Sequence, residues 1–362
     1  MRIVSSLLRS AVYPSMSAAG IFRRTRAGGL AVVTYHGVLP PGYEPIDAAL
    51  DGNLITAETL RKQLRRLKKY YNVISAEEFL AWRDGRFALP QRAVLLTCDD
   101  GLLNCLTDML PVLKEEGLTC LFFVTGSSSQ EVRDTLWYED LFLLFLRAPE
   151  GVFRISFEGI LLQGELGERE QRRTVWWKSV KQLSQLTAEK RRSCLRVIQS
   201  EVQAERDSIV EGSMESRRFE LMTLPELRQL ASSGMAIGAH TLSHPMLSRA
   251  PEPLVRDEVS GCKLKLEAVL GKPVWALAYP FGDPESVNPS VLAITQEAGF
   301  KAAFVNFGGG LGAALPPFAL PRVHVTANMS LSEFEAQVSG FHGRLQRRAS
   351  RNPANLDVVR AW

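Results

Sequence analysis

Two clusters in this chain could do chemistry. The first is Thr97-Cys98-Asp99-Asp100-Gly101, with adjacent carboxylates; the second is His240-Thr241-Leu242-Ser243-His244, with two imidazoles four residues apart. Two imidazoles and one carboxylate make a three-ligand set for zinc or a similar cation and leave a position open for water. A second carboxylate beside that set could accept a proton from the water, which outlines a hydrolase site. Taken alone, each cluster has a plainer reading. Adjacent acids before glycine make turns or cap helices. The four-residue His spacing suits a helix face, but Gly238 before it and Pro245 after it point to a strand-to-loop junction.

The elements around the clusters decide between these readings. Ala93-Val94-Leu95-Leu96 precedes the first cluster and Met235 to Ala239 precedes the second, and both runs read as buried strands. Polar residues at the exits of parallel strands gather at one mouth of an α/β fold, where active sites are commonly built. Leu30 to Tyr35 reads as an earlier strand. Thr56 caps a helix with Leu60, Leu64 and Leu67 on one face, and Ser75 with Glu78 forms a capping box for a helix ending near Gly85. Leu103, Leu106, Leu110 and Leu113 repeat at helical spacing up to Gly117, and Thr119 to Val124 is strand-like. The same grammar resumes after residue 220. Thr223 and Glu226 open a helix stopped by Gly234, another runs from Pro253 to Leu270, Val274 to Tyr279 forms a strand, a helix ends at Gly299, and Lys301 to Val305 is a strand. Repeated βα units predict a parallel sheet or barrel with helices outside.

Residues 127–220 break this pattern. Trp137-Tyr138-Glu139-Asp140-Leu141-Phe142 opens an aromatic run, and residues 171–203 are charged and helix-prone. This stretch reads as a helical insertion, either lining a cleft or decorating the outside. Trp137 and Tyr138 read as buried anchors in preference to a stacking surface for a sugar. The domain proper spans residues 30–340, preceded by a basic segment over 1–29 and followed by a tail over 341–362 read as a fraying helix; His342 is read as a surface residue.

Composition excludes several classes. A hydrophobic fraction of 46% describes an ordinary globular protein, and a formal charge of +4 with no basic stripe argues against nucleic acid. The five cysteines have no paired metal spacing and read as buried free thiols of a reducing compartment. Up to Tyr43 there is no acidic residue, while Arg2, Arg9, Arg23, Arg24 and Arg26 are basic. Arg9 and Pro14 interrupt any secretory apolar core, and no stretch is long and apolar enough to span a bilayer. The segment is read as a loosely packed basic helix leading into the domain, with peripheral contact to an anionic membrane surface as the alternative, and the location as cytoplasmic.

With these residues in place, the chain resembles the polysaccharide deacetylase family. Thr97 to Gly101 matches the family's Thr-Phe-Asp-Asp-Gly, and His240 to His244 matches His-Ser/Thr-x-x-His. Ala278-Tyr279-Pro280-Phe281-Gly282 corresponds to Arg-x-Pro-Tyr/Phe-Gly. Thr34-Tyr35-His36-Gly37-Val38 resembles the opening of bacterial members from surface-polysaccharide pathways. The resemblance covers about 30–125 and 220–330. It implies a distorted (β/α) barrel and a divalent metal, usually Zn2+, held by Asp100, His240 and His244, with Asp99 as general base. Water activated at that metal would attack an acetamido carbonyl, the oxyanion being met by the metal and the Phe281 N–H, to release acetate from an N-acetylated saccharide. Three departures qualify the match. Ala278 stands where the family has arginine; Arg322 could take over that role or form a structural ion pair. The leaving-group acid is a histidine near the end of the domain; His324 is the candidate, its face undetermined by alternation. Cys98 replaces an aromatic residue and packs. His36 ends the first strand and meets substrate, supports the metal shell or sits in the core as a satisfied histidine, and Tyr279 and Phe281 either shape an acetyl pocket or pack. The reading is a metal-dependent sugar N-deacetylase of a saccharide-assembly pathway. An inactive saccharide-binding protein of the same fold, or an O-acetyl esterase, is the alternative.

Overall fold

A computed structural model of the chain describes residues 7–24, 29–129, 131–203, 212–308 and 317–343. Ten strands are present among them: β1 (Leu30–Tyr35), β2 (Asn72–Ile74), β3 (Ala93–Cys98), β4 (Leu121–Val124), β5 (Val152–Phe157), β6 (Ile160–Glu165), β7 (Ala236–Ala239), β8 (Ala276–Ala278), β9 (Ala302–Gly308) and β10 (Leu320–His324). The parallel order β1-β10-β9-β8-β7-β4-β3 closes on itself because β3 also pairs with β1, from Leu30 opposite Ala93 to Tyr35 opposite Cys98. The result is a closed seven-stranded barrel, with β2 attached outside along the first half of β3. Closure leaves the barrel strands no free edge.

Strand alternation divides the side chains into two layers. Leu30 and Val32, Ala93 and Leu95, Leu121 and Phe123, Ala276 and Ala278, Ala302 and Phe304, and Leu320 form an interior cluster. Their neighbours Ala31 and Val33, Val94 and Leu96, Phe122 and Val124, Leu277 and Ala303 pack outward against the helices. Gly238 on β7 lies against the ring of Phe123, where an added Cβ would sit 2.6 Å from two ring carbons, so only glycine admits that ring.

The helices form where the capping signals placed them. Ala57–Tyr70 starts at Thr56, whose side chain accepts from Thr59 N–H; Ala76–Arg83 and Leu224–Ser232 start at the Ser75/Glu78 and Thr223/Glu226 boxes. Glu252–Leu270 ends at Gly271, φ 64°, the left-handed terminus glycine favours. After the first acidic cluster the chain forms a π-helical turn, Cys105–Met109, before the α-helix Leu110–Glu116.

The insertion lies in the crossover between β4 and β7 and is not wholly helical. Beside helices Trp137–Arg147, Arg169–Leu183, Ala188–Val202 and Ser213–Phe219 it contains the antiparallel hairpin β5–β6. The signal was present: Phe153 and Ile155 alternate with exposed residues, and Glu158-Gly159 makes a two-residue turn with φ 49° and 77°. An aromatic helix before it and a charged helix after it masked it. The insertion has its own core, in which Leu141, Phe142, Phe145, Leu162, Val180 and Ile198 are buried. Arg218, fully buried, ties it to the β1–β2 connection by pairing with Glu139 at 2.9 Å and Asp51 at 2.6 Å.

The N-terminal segment is packed more firmly than expected. Tyr13 and Phe22 are buried against Ala336 of helix Leu331–Val338, and Ser17 donates to Glu335. His342 is half-buried, with its Nδ1 hydrogen-bonded to the Tyr13 hydroxyl, so it is no surface residue. Tyr13, Phe22 and His342 meet because helices from distant parts of the chain pack together, which spacing cannot reveal. The tail beyond residue 343 and the arginines Arg2 and Arg26 lie outside the described residues. No helix among the described residues is long and apolar enough to cross a membrane. All five cysteines are free and buried, Cys98 and Cys105 with sulfurs 3.6 Å apart.

Candidate metal centre and its surroundings

The interior parity of each strand continues past its end, and this builds the site. Thr34 leads to His36, Thr97 to Asp99, Gly238 to His240, and Leu320 to Arg322 and His324. Below this level the interior is apolar; above it every one of these groups is polar. The undetermined face of His324 is therefore settled by Leu320, four residues earlier in the interior cluster.

Asp100, His240 and His244 come together as one buried cluster, their ligating atoms all within 4.8 Å of one another. His240 Nε2 lies 3.3 Å and His244 Nε2 3.4 Å from the same Asp100 Oδ1. His240 Nδ1 is 2.8 Å from the Ala278 carbonyl. A donor bond there leaves Nε2, the nitrogen beside Asp100, as the atom on which a cation would replace the proton. This donor set fits a divalent cation of zinc type: two neutral imidazole nitrogens and one carboxylate oxygen, already converged and shielded from water. Burial alone would raise the Asp100 carboxyl, but hydrogen bonds from both imidazoles hold it well below the usual carboxylate range. Burial also lowers His244, while Asp100 and Asp99 outweigh burial at His240 and raise it.

Asp99 is held differently. Arg322 grips it in a two-pronged pair, Nη1 to Oδ1 at 2.7 Å and Nη2 to Oδ2 at 2.6 Å, and both residues are 1% exposed. Arg322 also donates to the Val305 carbonyl at 3.2 Å and the Thr97 hydroxyl at 3.3 Å. Burial would raise Asp99; the guanidinium, with His240, more than offsets it and keeps the carboxylate ionised. Ala278 faces the interior on β8, and the arginine missing from that position arrives instead from β10, two strands away. Neither aspartate caps the following helix: their side chains are spent on Arg322 and the two imidazoles.

Backbone strain concentrates here. Of the seven left-handed non-glycine residues among the described ones, four lie here: Asp100 (φ 78°), Thr241 (φ 64°), His244 (φ 56°) and Phe281 (φ 60°). Such conformations cost on the order of 1–3 kcal/mol each and persist where the surroundings impose them. The Phe281 N–H donates no backbone hydrogen bond among the described residues. Its ring meets that of His244 edge-on at 4.8 Å.

Tyr279 is a correction. With Ala278 inward it must face out; it is buried among the helices, and its hydroxyl donates to the Phe318 carbonyl at 2.9 Å, so it has no place in an acetyl pocket. The rings of His36 and His324 meet at 4.9 Å, tilted by 55°, at the barrel mouth, with His36 Nδ1 and His324 Nε2 buried and unpartnered. A satisfied core histidine is thus not what His36 is. Desolvation, then repulsion from His36 and Arg322, pushes His324 down to about 3, and desolvation lowers His36 as well. From the insertion, Trp137 is a buried anchor donating to the His244 carbonyl at 3.0 Å, whereas Tyr138 lies over the His244 ring at 4.9 Å and beside Phe281 at 5.3 Å. Tyr138 at the mouth was missed because the aromatic run around it reads uniformly as core.

A polysaccharide deacetylase domain model matches residues 182–303, which include His240, His244 and the Phe281-Gly282 segment. No curated protein sequence matches the chain. In fold the chain is similar to the Streptococcus pyogenes deacetylase PplD in complex with acetate, at 17% identity and TM-score 0.55, over 87% of this chain and 99% of that one. It is similar to IcaB from Ammonifex degensii at 19% identity and TM-score 0.52, over 87% and 98% of the two chains. The de-N-acetylase from Aggregatibacter actinomycetemcomitans gives 15% identity and TM-score 0.53, over 84% and 98%. The domain match and the shared barrel bear out the resemblance to the polysaccharide deacetylase family that the aspartate and histidine motifs carry.

Proposed function

We propose that the chain is a metal-dependent hydrolase that removes the N-acetyl group from an N-acetylated sugar in a saccharide-assembly pathway. The observation that carries this reading is the ionised Asp99, gripped by Arg322, beside the converged Asp100, His240 and His244. A divalent cation held by those three residues supplies Lewis acidity to the acetamide carbonyl and acidifies water. Asp99, fixed by Arg322, accepts the proton of the attacking water. The Phe281 N–H, presented by a strained backbone, donates to the developing oxyanion. As the amide C–N bond breaks, the nitrogen needs a proton. His324 and His36 start neutral, so one of them can relay to the amine the proton that Asp99 has taken from water, giving acetate and a free amino sugar. A fold shared with a de-N-acetylase and with an acetate-bound deacetylase supports this reading. The inactive saccharide-binding alternative rests on the missing arginine, and a guanidinium on Asp99 from Arg322 weighs in favour of the active reading.

The test is acetate release by the zinc-loaded protein from a panel of N-acetylhexosamine oligosaccharides. Asp99→Asn should abolish release, by about 10²–10⁴-fold, while zinc stays bound. Undiminished release by Asp99→Asn would contradict the assignment of the base.

A further inference from the structure

The loop carrying His240 and His244 is suspended from hydrogen bonds, and the insertion supplies several of them. From the turn that follows β4, Gly126 N–H donates to the Thr241 carbonyl at 2.9 Å and Ser127 N–H to the Leu242 carbonyl at 3.2 Å. Helix Glu252–Leu270 meets it through Glu258, whose main-chain carbonyl accepts from Leu242 N–H at 3.1 Å and whose carboxylate accepts from Ser243 N–H at 2.8 Å and from the Ser243 hydroxyl. The remaining side faces the insertion. Arg191 donates to the Ser243 carbonyl at 3.3 Å and to its hydroxyl, Trp137 to the His244 carbonyl at 3.0 Å, and Ser184 accepts from Met246 N–H at 3.0 Å.

Arg191 is the hub of this set. It is 1% exposed, lies 3.7 Å from Glu258, sits 5.0 Å over the Trp137 ring, and donates to the Leu186 carbonyl just before its own helix at 2.9 Å. One guanidinium therefore joins both supports of Ser243, the residue directly before His244. Two residues of this loop, Thr241 and His244, are left-handed, and a non-glycine backbone keeps that geometry only under external restraint. A charge buried this completely needs its partner, so Arg191 and Glu258 hold each other in register.

We propose that Arg191 is a positioning residue for the metal centre, acting through Ser243 and Glu258 to hold the strained backbone that aims the imidazoles at Asp100. This makes the insertion part of the metal site and not an attachment to the barrel. The inference rests on the proposal that Asp100, His240 and His244 bind a cation.

The test is the Zn2+ dissociation constant of the full chain, measured by chelator competition, together with the melting temperature of the metal-free protein. Arg191→Met should weaken Zn2+ binding by about 10–100-fold, the usual effect of removing a residue that orients a ligand. Because it strands Glu258, it should also lower the melting temperature. Arg191→Met combined with Glu258→Gln removes the stranded charge; melting should recover while Zn2+ binding stays weak. Trp137→Phe, which keeps a ring but loses the donor to the His244 carbonyl, should weaken Zn2+ binding as well. Recovery of Zn2+ affinity along with melting in the double variant would overturn the inference, since Arg191 would then only balance a charge. Wild-type affinity in all three variants would overturn it too. Failure of the wild-type protein to bind Zn2+, or equally tight binding by His240→Ala, would instead bring down the metal reading on which it rests.

Discussion

Replacing Arg322 by methionine removes the guanidinium while roughly keeping its volume, and the surrounding geometry sets the consequences. Two charge-assisted bonds to Asp99, at 2.7 and 2.6 Å, disappear in a place where both partners are 1% exposed. Breaking a buried pair from one side costs about 3–5 kcal/mol, because the remaining charge has neither water nor counterion. The Thr97 hydroxyl and Val305 carbonyl lose a neighbour as well. The pH dependence changes sign. In the native protein Asp99 lies below the usual carboxylate range, so its contribution to stability is complete above that range and is lost as the pH falls through the folded value. In Arg322→Met, burial is left to act, Asp99 rises, and stability falls as the pH climbs through the carboxylate range. Catalysis should change in parallel: the acidic limb of kcat/KM moves to higher pH, and kcat drops about 10²-fold or more as the base loses its orientation. Arg322→Lys keeps a charge but not the fork, and should restore stability better than rate. Melting temperature against pH, with acetate release against pH, reads both effects. An Arg322→Met protein with unchanged kcat/KM and an unmoved acidic limb would refute the reasoning and leave Arg322 a structural ion pair.

Other expectations are open to test. His324→Ala and His36→Ala should each retain zinc; whichever carries the proton to the amine should show the larger loss of kcat, most severe for substrates with poor leaving groups, and unchanged kinetics in both would remove the histidine pair from the reaction. Gly238→Ala puts a methyl group 2.6 Å from the Phe123 ring and should destabilise the barrel by about 1–3 kcal/mol in denaturant melts, with wild-type stability contradicting the packing described for β7.

Much of the site was legible because it obeys strand parity. The two motifs end apolar strands, and the alternation Leu320, Arg322, His324 only needed one interior residue to fix its direction. Capping pairs such as Ser75 with Glu78 marked helices for a local reason, each end satisfying its own orphan N–H groups. What stayed hidden depends on contacts between distant segments. The grip of Arg322 on Asp99 spans 223 residues, and the role of Ala278 could be understood only once β10 stood two strands from β8. For Tyr279 the motif leaves pocket and packing both open, and only the inward parity of Ala278 turns its ring toward the helices. Arg191 gave no signal at all in a charged helix whose other arginines, Arg192 and Arg196, are exposed.

The central claim is that Asp100, His240 and His244 hold a catalytic cation, and calorimetric titration of Zn2+ into chelator-stripped protein tests it most directly. One tight site per chain is expected, lost in His240→Ala and in His244→Ala and kept in Asp99→Asn, whose carboxylate belongs to Arg322. No binding by the wild-type protein, or full binding by both histidine variants, would contradict it.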